Sequence, residues 1–263
     1  MSFDQISVAG TLIRLSRWLD RVSGPTRLIQ SSSDGGAFGT SYVSIAVGDD
    51  SPYASANYNR IHLCGRNGGL TEAGLKKLID RFGAAGVGRF FIWLSPGPDM
   101  EIVRSWLSAG GLLRVSHVGY PTLVRDVSKP ETPASDLIVR EIGASDVAQM
   151  SDRLEHASWP EFRRSIGAPG IFHLVACDGD ELIASAALAI FGGLGYLGMA
   201  LTAEPHRRRG AQQALIARRI EIARQCGCRV LISETLSFLE TSLGNLRKAG
   251  FKPLYEKEIY TSS

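Results

Sequence analysis

Long apolar runs and metal-ligand spacings are both missing from this 263-residue sequence. No stretch approaches the roughly 20 apolar residues that a membrane-spanning helix needs. The first ten residues, MSFDQISVAG, lack the apolar core of a signal peptide. The five histidines show no His-x-x-x-His spacing, so we expect no metal. These absences favour a protein that works away from membranes, in the cytoplasm.

A strong charge bias is missing as well. The net charge is +3, and residues 1–130 hold 14 Lys/Arg against 10 Asp/Glu, while residues 131–263 hold 15 against 16. Neither half has the basic excess that is typical of proteins whose obligatory partner is a nucleic acid. We therefore expect no nucleic-acid partner.

Cysteines are few, and their spacing shows no grouping that is typical of a metal site. The chain has four, Cys64, Cys177, Cys226 and Cys228, and the last two lie too close together for a zinc knuckle. We expect all four to be reduced, which again indicates the cytoplasm.

Strand-like and helix-like segments alternate on both sides of a short linker. VSKPETPASD, residues 127–136, contains two prolines and alternating charge, which is typical of a linker. We therefore predict two domains, 1–130 and 137–263. Within the first domain, we interpret Asp49 to Pro52 as a turn or loop, and Ser31 to Gly39 as a mobile surface loop.

The two halves repeat one another. GVGRFFIWLS at 86–95 lies over CGCRVLISET at 226–235, and at the same offset Ala109-Gly110 lies over Ala249-Gly250. Equal spacing across a strand, a helix and a turn favours a duplicated unit.

The segment from Tyr196 to Ala223 carries the clearest functional signal. A strand-like run from Tyr196 to Leu201 is followed by Pro205, three arginines and Gly210, and then by a long helical pattern. The first amides of a helix have no partner within it and lie at the positive end of its dipole, so this turn is a candidate anion site. An ordinary strand–helix connection with a solvated basic turn is the alternative.

The repeat supplies an internal comparison for this turn. Residues 207–212, RRRGAQ, correspond to 67–72, NGGLTE, which has no arginine and ends in Glu72. A carboxylate at a helix N-terminus repels a phosphate. We therefore expect one working half and one supporting half.

The second half resembles the GNAT superfamily of acyl-CoA-dependent N-acetyltransferases. The turn Gln/Arg-x-x-Gly-x-Gly/Ala of that family is matched by Arg207, Gly210 and Ala211, although Gln212 departs from its last position. SLGNLRKAGF at 242–251 is similar to the family's later motif, and the resemblance covers about residues 137–263. It implies an α/β (α+β) fold of two tandem GNAT-like domains, each with a mixed, mostly antiparallel sheet flanked by helices. The domain 1–130 would be a degenerate copy that completes the acceptor pocket.

The resemblance also implies a co-substrate, acetyl-CoA, and no metal. The pantetheine arm would lie beside the strand from Tyr196 to Leu201, the turn amides would hold the pyrophosphate, and the arginines would reach the phosphates. The implied cofactor-binding residues are Met199, Ala200, Leu201, Arg207, Arg208, Arg209, Gly210, Ala211, Gln212 and Asn245.

The catalytic groups are less clearly marked. Many family members carry an acidic tyrosine four residues before the glycine of Gly-Phe, and here that position is Leu246. Tyr255 is our substitute acid, and transfer without an acid is feasible because a thiolate is a good leaving group near neutral pH. For the base we favour Glu234 and then Glu204, both through water; alternatively, Glu234 bonds a neighbouring amide and Glu204 is simply solvated.

Three further side chains accompany this site. His156 and Trp159 fall where the family's first helices line the acceptor site, although for Trp159 we favour a packing role over a contact. His206 adds polarity to the arginine turn.

These observations predict an N-acetyltransferase that acts on the primary amine of a small molecule or on an exposed amino group. A catalytically silent acyl-CoA-binding or interaction module is the alternative, suggested by Leu246 and Gln212. A weaker third hypothesis is an aminoacyl-type transferase that uses a carried donor. The acceptor, the acyl-chain length and the choice between monomer and homodimer stay open.

Overall fold

The computed structural model describes residues 4–25, 27–31, 41–49, 51–64, 70–129 and 136–262. The helices are α1 (Gln5–Ser23), α2 (Pro52–Asn57), α3 (Glu72–Ala84), α4 (Met100–Ala109), α5 (Ala144–Ala157), α6 (Pro160–Arg164), α7 (Ala211–Gln225) and α8 (Glu240–Lys248). The strands are β1 (Leu28–Ser31), β2 (Ser41–Ala46), β3 (Arg60–Cys64), β4 (Phe91–Ser95), β5 (Leu113–Arg114), β6 (Tyr120–Asp126), β7 (Ile138–Ile142), β8 (Ile171–Asp178), β9 (Glu181–Phe191), β10 (Leu194–Thr202), β11 (Val230–Glu234) and β12 (Lys252–Thr261). A 3-10 turn spans Glu204–His206.

The chain forms two compact units. Unit 1 comprises residues 1–121, 236–238 and 254–263, and unit 2 comprises 122–235 and 239–253. Each unit takes in a strand from the other half of the sequence. The units therefore do not coincide with the predicted ranges 1–130 and 137–263, whose functional assignments remain a prediction.

Unit 1 has a mixed sheet in the order β1-β2-β3-β4-β12. Strands β3 and β4 are parallel, and the other pairs, including that of β5 with β12, are antiparallel. Its main apolar core lies between the inner strands and the helices α3 and α4, where Leu75, Phe82, Leu107 and Leu94 are buried.

Unit 2 has a mixed sheet in the order β6-β11-β10-β9-β8-β7. Among the strands that the structure describes here, β10 and β11 are parallel and the remaining pairs are antiparallel. Its core is built from β6, β8 to β11, α7 and α8, with Leu215, Leu231, Leu188 and Leu123 fully buried. The predicted fold class, a mostly antiparallel sheet flanked by helices in tandem copies, is confirmed.

The repeat is visible in the topology. In each unit a long helix, α3 or α7, connects two parallel strands, and a short helix, α4 or α8, follows the second of them. The antiparallel strand after that short helix completes the sheet of the other copy's unit, because β6 pairs with β11 and β12 pairs with β4.

Local signals account for the ends of most elements. The side chain of Thr71 accepts from the Gly74 amide and begins α3. Strand β9 spans Glu181–Phe191, and Gly179-Asp180 form a two-residue hairpin loop between Asp178 and Glu181.

Two expectations for unit 1 were wrong in detail. The predicted loop at Asp49 to Pro52 ends in helix α2, because Ser51 caps the Ala54 amide and Pro52 occupies the first helical position. The apolar run from Ala85 to Ser95 predicts one buried strand, but β4 begins only at Phe91. The predicted loop Ser31 to Gly39 lies, from residue 32 onward, outside the described residues, and so does most of the predicted linker.

Among the described residues, no helix combines the length and the apolar character that crossing a membrane requires.

Candidate functional site

The centre of the candidate site is a bulge in β10. The antiparallel ladder pairs Gly198 with Ala187 and next pairs Leu201 with Ser185, so β10 carries one extra residue. Met199 takes up that residue with a φ of 51°, in the left-handed region. The bulge therefore falls at the three residues predicted to contact the pantetheine arm, Met199 to Leu201.

Strand β10 separates from β11 at the same place. The parallel pairing runs from Leu194 with Val230 to Leu197 with Ser233, whereas β10 continues to Thr202. The hydroxyl of Ser233 donates to the Leu197 carbonyl at 2.9 Å, which fixes the last paired position. Beyond it, the edge of β10 that faces β11 is open to an extended ligand, which it can bind as a strand binds its neighbour.

The equivalent strands of unit 1 stay paired up to Cys64, the last described residue before residue 70, which leads into α3. There β3 and β4 pair along their whole length, from Arg60 with Phe91 to Cys64 with Ser95. Helix α3 begins at the capped Thr71 and carries Glu72 in its first turn. Within its described residues, unit 1 thus shows neither the strand opening nor an uncapped helix at this place.

Helix α7 begins without a side-chain cap. Its N-cap, Gly210, has a φ of 82°, and no side chain within the described residues bonds to the first amides. The first intrahelical bond joins the Ala214 amide to the Gly210 carbonyl at 3.0 Å. The amides of Ala211, Gln212 and Gln213 therefore point out of the helix at the positive end of its dipole, which is the geometry of an anion site.

The three arginines have different surroundings. Arg209 pairs with Asp178 and lies 3.2 Å from the His206 ring. Arg207 lies 3.7 Å from Glu204, and both side chains are more than half exposed. Arg208 is exposed and has a φ of 64°. Exposed ion pairs such as those of Arg209 and Arg207 contribute little to stability. A phosphate can therefore replace the carboxylate beside either arginine at little cost in free energy.

The departure at Gln212 has a structural explanation. Its side-chain amide donates to the Thr202 hydroxyl at 2.9 Å and so connects the start of α7 to the end of β10. The next residue, Gln213, donates to the Asn245 carbonyl oxygens of backbone and side chain at 3.1 and 3.0 Å. Asn245, predicted to bind the cofactor, is thereby held against α7.

The predicted catalytic residues lie in different surroundings. Glu234 ends β11, is half-buried, and accepts from the Thr122 hydroxyl at 2.7 Å. Glu204 is exposed on the 3-10 turn. Tyr255 belongs to unit 1, where it packs against the apolar cluster of Ala9 and Ile13. Grouping it with Glu234 stays a prediction.

Leu246, at the family's tyrosine position, is buried in the core of unit 2. An acid cannot be supplied from this position.

Sequence reasoning gave too little weight to Trp159 and did not identify Arg219. The Trp159 indole donates to the Ala200 carbonyl at 3.0 Å, in the bulge, although the side chain is 41% exposed. Arg219 reaches the Gly198 carbonyl from the buried face of α7. Its signal in the sequence is a charge four residues after Leu215 and four before Ala223, on an otherwise apolar helix face.

Two buried polar groups support the bulge from the other side. The Ser165 hydroxyl lies 2.8 Å from His173 Nε2 and 3.8 Å from the Met199 sulfur. Burial lowers the pKa of His173 to about 4, so the ring is neutral at pH 7.

A cavity of about 700 Å³ lies beside the arginine turn. Its lining includes His156, Glu181, Glu204 and His206, and His206 lies 3.1 Å from Glu181. In the described part of the chain, no group of three or more His, Cys, Asp or Glu residues could hold a metal ion.

Comparisons with known proteins agree with this geometry. Residues 140–251 match the model of the acetyltransferase (GNAT) family. A search of curated proteins found no match. Among solved structures, a GCN5-related N-acetyltransferase from Kribbella flavida has a TM-score of 0.66 at 15% identity, covering 100% of this chain and 96% of its own.

Two further structures are similar. A tandem GNAT protein from the clavulanic acid biosynthesis pathway has a TM-score of 0.64 at 15% identity, covering 94% of this chain and 86% of its own. A GCN5-related N-acetyltransferase from Sphaerobacter thermophilus has a TM-score of 0.58 at 14% identity, covering 90% and 96%. At these identities, the likeness shows the fold alone.

Proposed function

Because residues 140–251 belong to the GNAT acetyltransferase family, we propose that the chain transfers an acetyl group from acetyl-CoA to a primary amine. The amine belongs to a small molecule or is an exposed amino group. The observation that carries the proposal is the opening of β10 from β11 next to the uncapped start of α7. The chain acts in the cytoplasm as a monomer or homodimer, which fits its four free cysteines.

In this proposal the backbone of Met199 to Leu201 binds the pantetheine arm. The amides of Ala211 and Gln212 and the arginine turn bind the pyrophosphate, since free amides and cations together favour an anion. The amine attacks the thioester carbonyl after it has lost its proton, through water, to Glu234. The hydrogen bond from Thr122 orients that carboxylate. The CoA thiolate leaves without a dedicated acid, or with Tyr255 as its acid.

Binding is tested by the change in melting temperature that acetyl-CoA causes. At a hundred times its Kd, a ligand stabilises the folded state by about 2.7 kcal/mol, which corresponds to roughly 5 to 10 °C in a chain of this size. Gly210→Glu should abolish the change, because it places a carboxylate where the pyrophosphate would lie. Gly227→Glu is the matched control: Gly227 follows the opposite end of α7 with a φ of 73°, so the substitution brings similar backbone strain without blocking the site. No shift of the wild-type protein with any acyl-CoA would refute the proposal.

Catalysis is tested by release of free thiol from acetyl-CoA with a panel of amines. Glu234→Gln should lower kcat about a hundredfold with little change in the KM for acetyl-CoA, whereas Glu204→Gln, at an exposed side chain, should leave kcat within a factor of two to three. Equal rates for wild type and Glu234→Gln would remove Glu234 from the mechanism.

The burial of Leu246 favours a second candidate, a silent acyl-CoA-binding module. That function predicts a thermal shift with acetyl-CoA and no thiol release with any amine. Thiol release that depends on an added amine decides for the enzyme.

A further inference from the structure

Arg219 is a buried cation without a carboxylate partner in the described structure. Its side chain is 2% exposed and lies on the face of α7 that packs against the sheet. Its recorded hydrogen-bond acceptors are three backbone carbonyls, Leu215 at 3.1 Å, Ala187 at 3.2 Å and Gly198 at 3.5 Å. Burial lowers its pKa to about 9, which leaves it charged at pH 7.

An apolar residue would occupy this position at a lower cost. Neighbouring residues on the same face, Leu215, Ile222 and Ala223, are buried and apolar. Removing a guanidinium from water costs several kcal/mol, and replacing buried charges by apolar groups of similar volume is often neutral or stabilising. A purely structural role therefore does not account for the arginine.

The acceptors of Arg219 lie at one functional position. Gly198 and Ala187 form the last register pair before the bulge, and the ladder resumes at Leu201 and Ser185. One nitrogen, Nη1, contacts both carbonyls of that last pair. The guanidinium thus joins β9 to β10 at the point where the register changes and where β10 leaves β11.

We propose that Arg219 is a positioning residue that holds the β10 bulge in the register that binds acyl-CoA. It acts through the carbonyls of Ala187 and Gly198 and does not itself contact the ligand. The inference rests on the proposed acyl-CoA binding. In it, a residue on the far side of the strand determines the backbone geometry of Met199 to Leu201.

The test compares Arg219→Met with Arg218→Met. Arg218, its neighbour, is more than a third exposed and pairs with Glu221, so its replacement controls for the loss of one arginine from α7. The readouts are the Kd for CoA by calorimetry, the free energy of unfolding, and amide hydrogen exchange in a peptide containing Met199 to Leu201.

For Arg219→Met we expect CoA binding about tenfold weaker, within the range by which residues away from a ligand change its affinity. We expect faster exchange at Met199 to Leu201 and an unchanged or higher free energy of unfolding. Arg218→Met should match the wild type in Kd and in local exchange. Arg219→Lys keeps the charge with a single donor group, and its Kd should lie between those of wild type and Arg219→Met.

Wild-type affinity and wild-type exchange in Arg219→Met would overturn the inference. If Arg219→Met does not fold, Arg219→Lys decides: a Kd at least threefold above that of the matched Arg218→Lys supports the role, and an equal Kd overturns it. If the wild type binds no CoA, the proposed function fails, and exchange at Met199 to Leu201 still reports whether Arg219 holds the bulge.

Discussion

Two buried histidines carry no charge in the folded protein at neutral pH. Burial lowers the pKa of His173 to about 4 and that of His62 well below its usual value, where Arg60 and Lys257 add to the effect. The unfolded chain, with a pKa near 6.5, takes up these protons first as the pH falls. The stability that the neutral His173 ring contributes is therefore fully present above about pH 6.5 and is lost between there and about pH 4.

Replacing His173 by Gln should reduce this pH dependence by the share that His173 contributes, while His62 keeps its own share. The shift of His173 corresponds to at most about 3 kcal/mol of stability lost on acidification. Urea unfolding at several values between pH 7.5 and 4 measures the slope. The exposed His156 provides a control, His156→Gln, which should keep the wild-type slope. A His173→Gln variant as acid-sensitive as the wild type would show that this ring does not set the dependence.

The chemical roles of individual residues were harder to predict from the sequence than the helices and strands. Glu234 was identified as a candidate base, but its hydrogen bond to Thr122 joins residues more than a hundred positions apart and has no local signature. In the sequence, Arg219 differs from its neighbours only as a charge on an apolar helix face. The bulge in β10 determines which carbonyls it contacts, and no residue type predicts a bulge.

At the level of elements, the fit of α7 against the sheet depends on Gly195. A Cβ at Gly195 would lie 2.7 Å from a Leu231 methyl and 3.3 Å from Ala223, so helix and sheet approach each other closely there. By contrast, Gly192 and Gly193 have φ values of 58° and 76° and form the two-residue loop that joins β9 to β10.

We expect opposite effects from the same substitution at two glycines. Gly195→Ala should destabilise the protein by about 1 to 3 kcal/mol through overpacking. Gly244→Ala should stabilise it by about 0.5 to 1 kcal/mol, because Gly244 lies inside α8 with open space around it. Chemical denaturation measures both, and a neutral Gly195→Ala would indicate that Leu231 adjusts freely.

Most elements could be predicted because their signals are local. The turn glycines and the Thr71 cap specify structure within a few residues. Helix α2 was missed although Ser51 and Pro52 form a normal helix start, because the acidic turn before it dominated the interpretation.

At the level of the whole molecule, each unit takes in a strand from the other half of the sequence. Because of this exchange of strands, the folding of each half depends on the other. Unit 2 takes Thr122 to Asp126 from the first half, including the fully buried Leu123. The equal spacing of the repeat predicted the duplication, but a strand has no local feature that names its partner, so the exchange could not be predicted.

Two fragments test this dependence. Residues 137–263 lack β6, which leaves β11 unpaired on one side and removes Leu123, a loss of about 2 to 5 kcal/mol for a buried leucine truncated to alanine. Residues 120–263 retain every strand of the unit 2 sheet. We expect 120–263 to melt cooperatively by circular dichroism and 137–263 to aggregate or melt without a transition. Equal cooperative melting would show that β6 is dispensable.

The exchange of strands between the two units also determines the order in which the two sheets can be completed during synthesis on the ribosome. Strand β4 ends at Ser95, but its neighbour β12 begins at Lys252. At about 5 to 20 residues per second, the edge of β4 stays without that neighbour for roughly 8 to 30 s. The strand β6 that unit 2 needs is already made when β11 emerges, so unit 2 can complete its sheet first. Nascent unit 1 is therefore the part for which a chaperone is most needed to prevent aggregation.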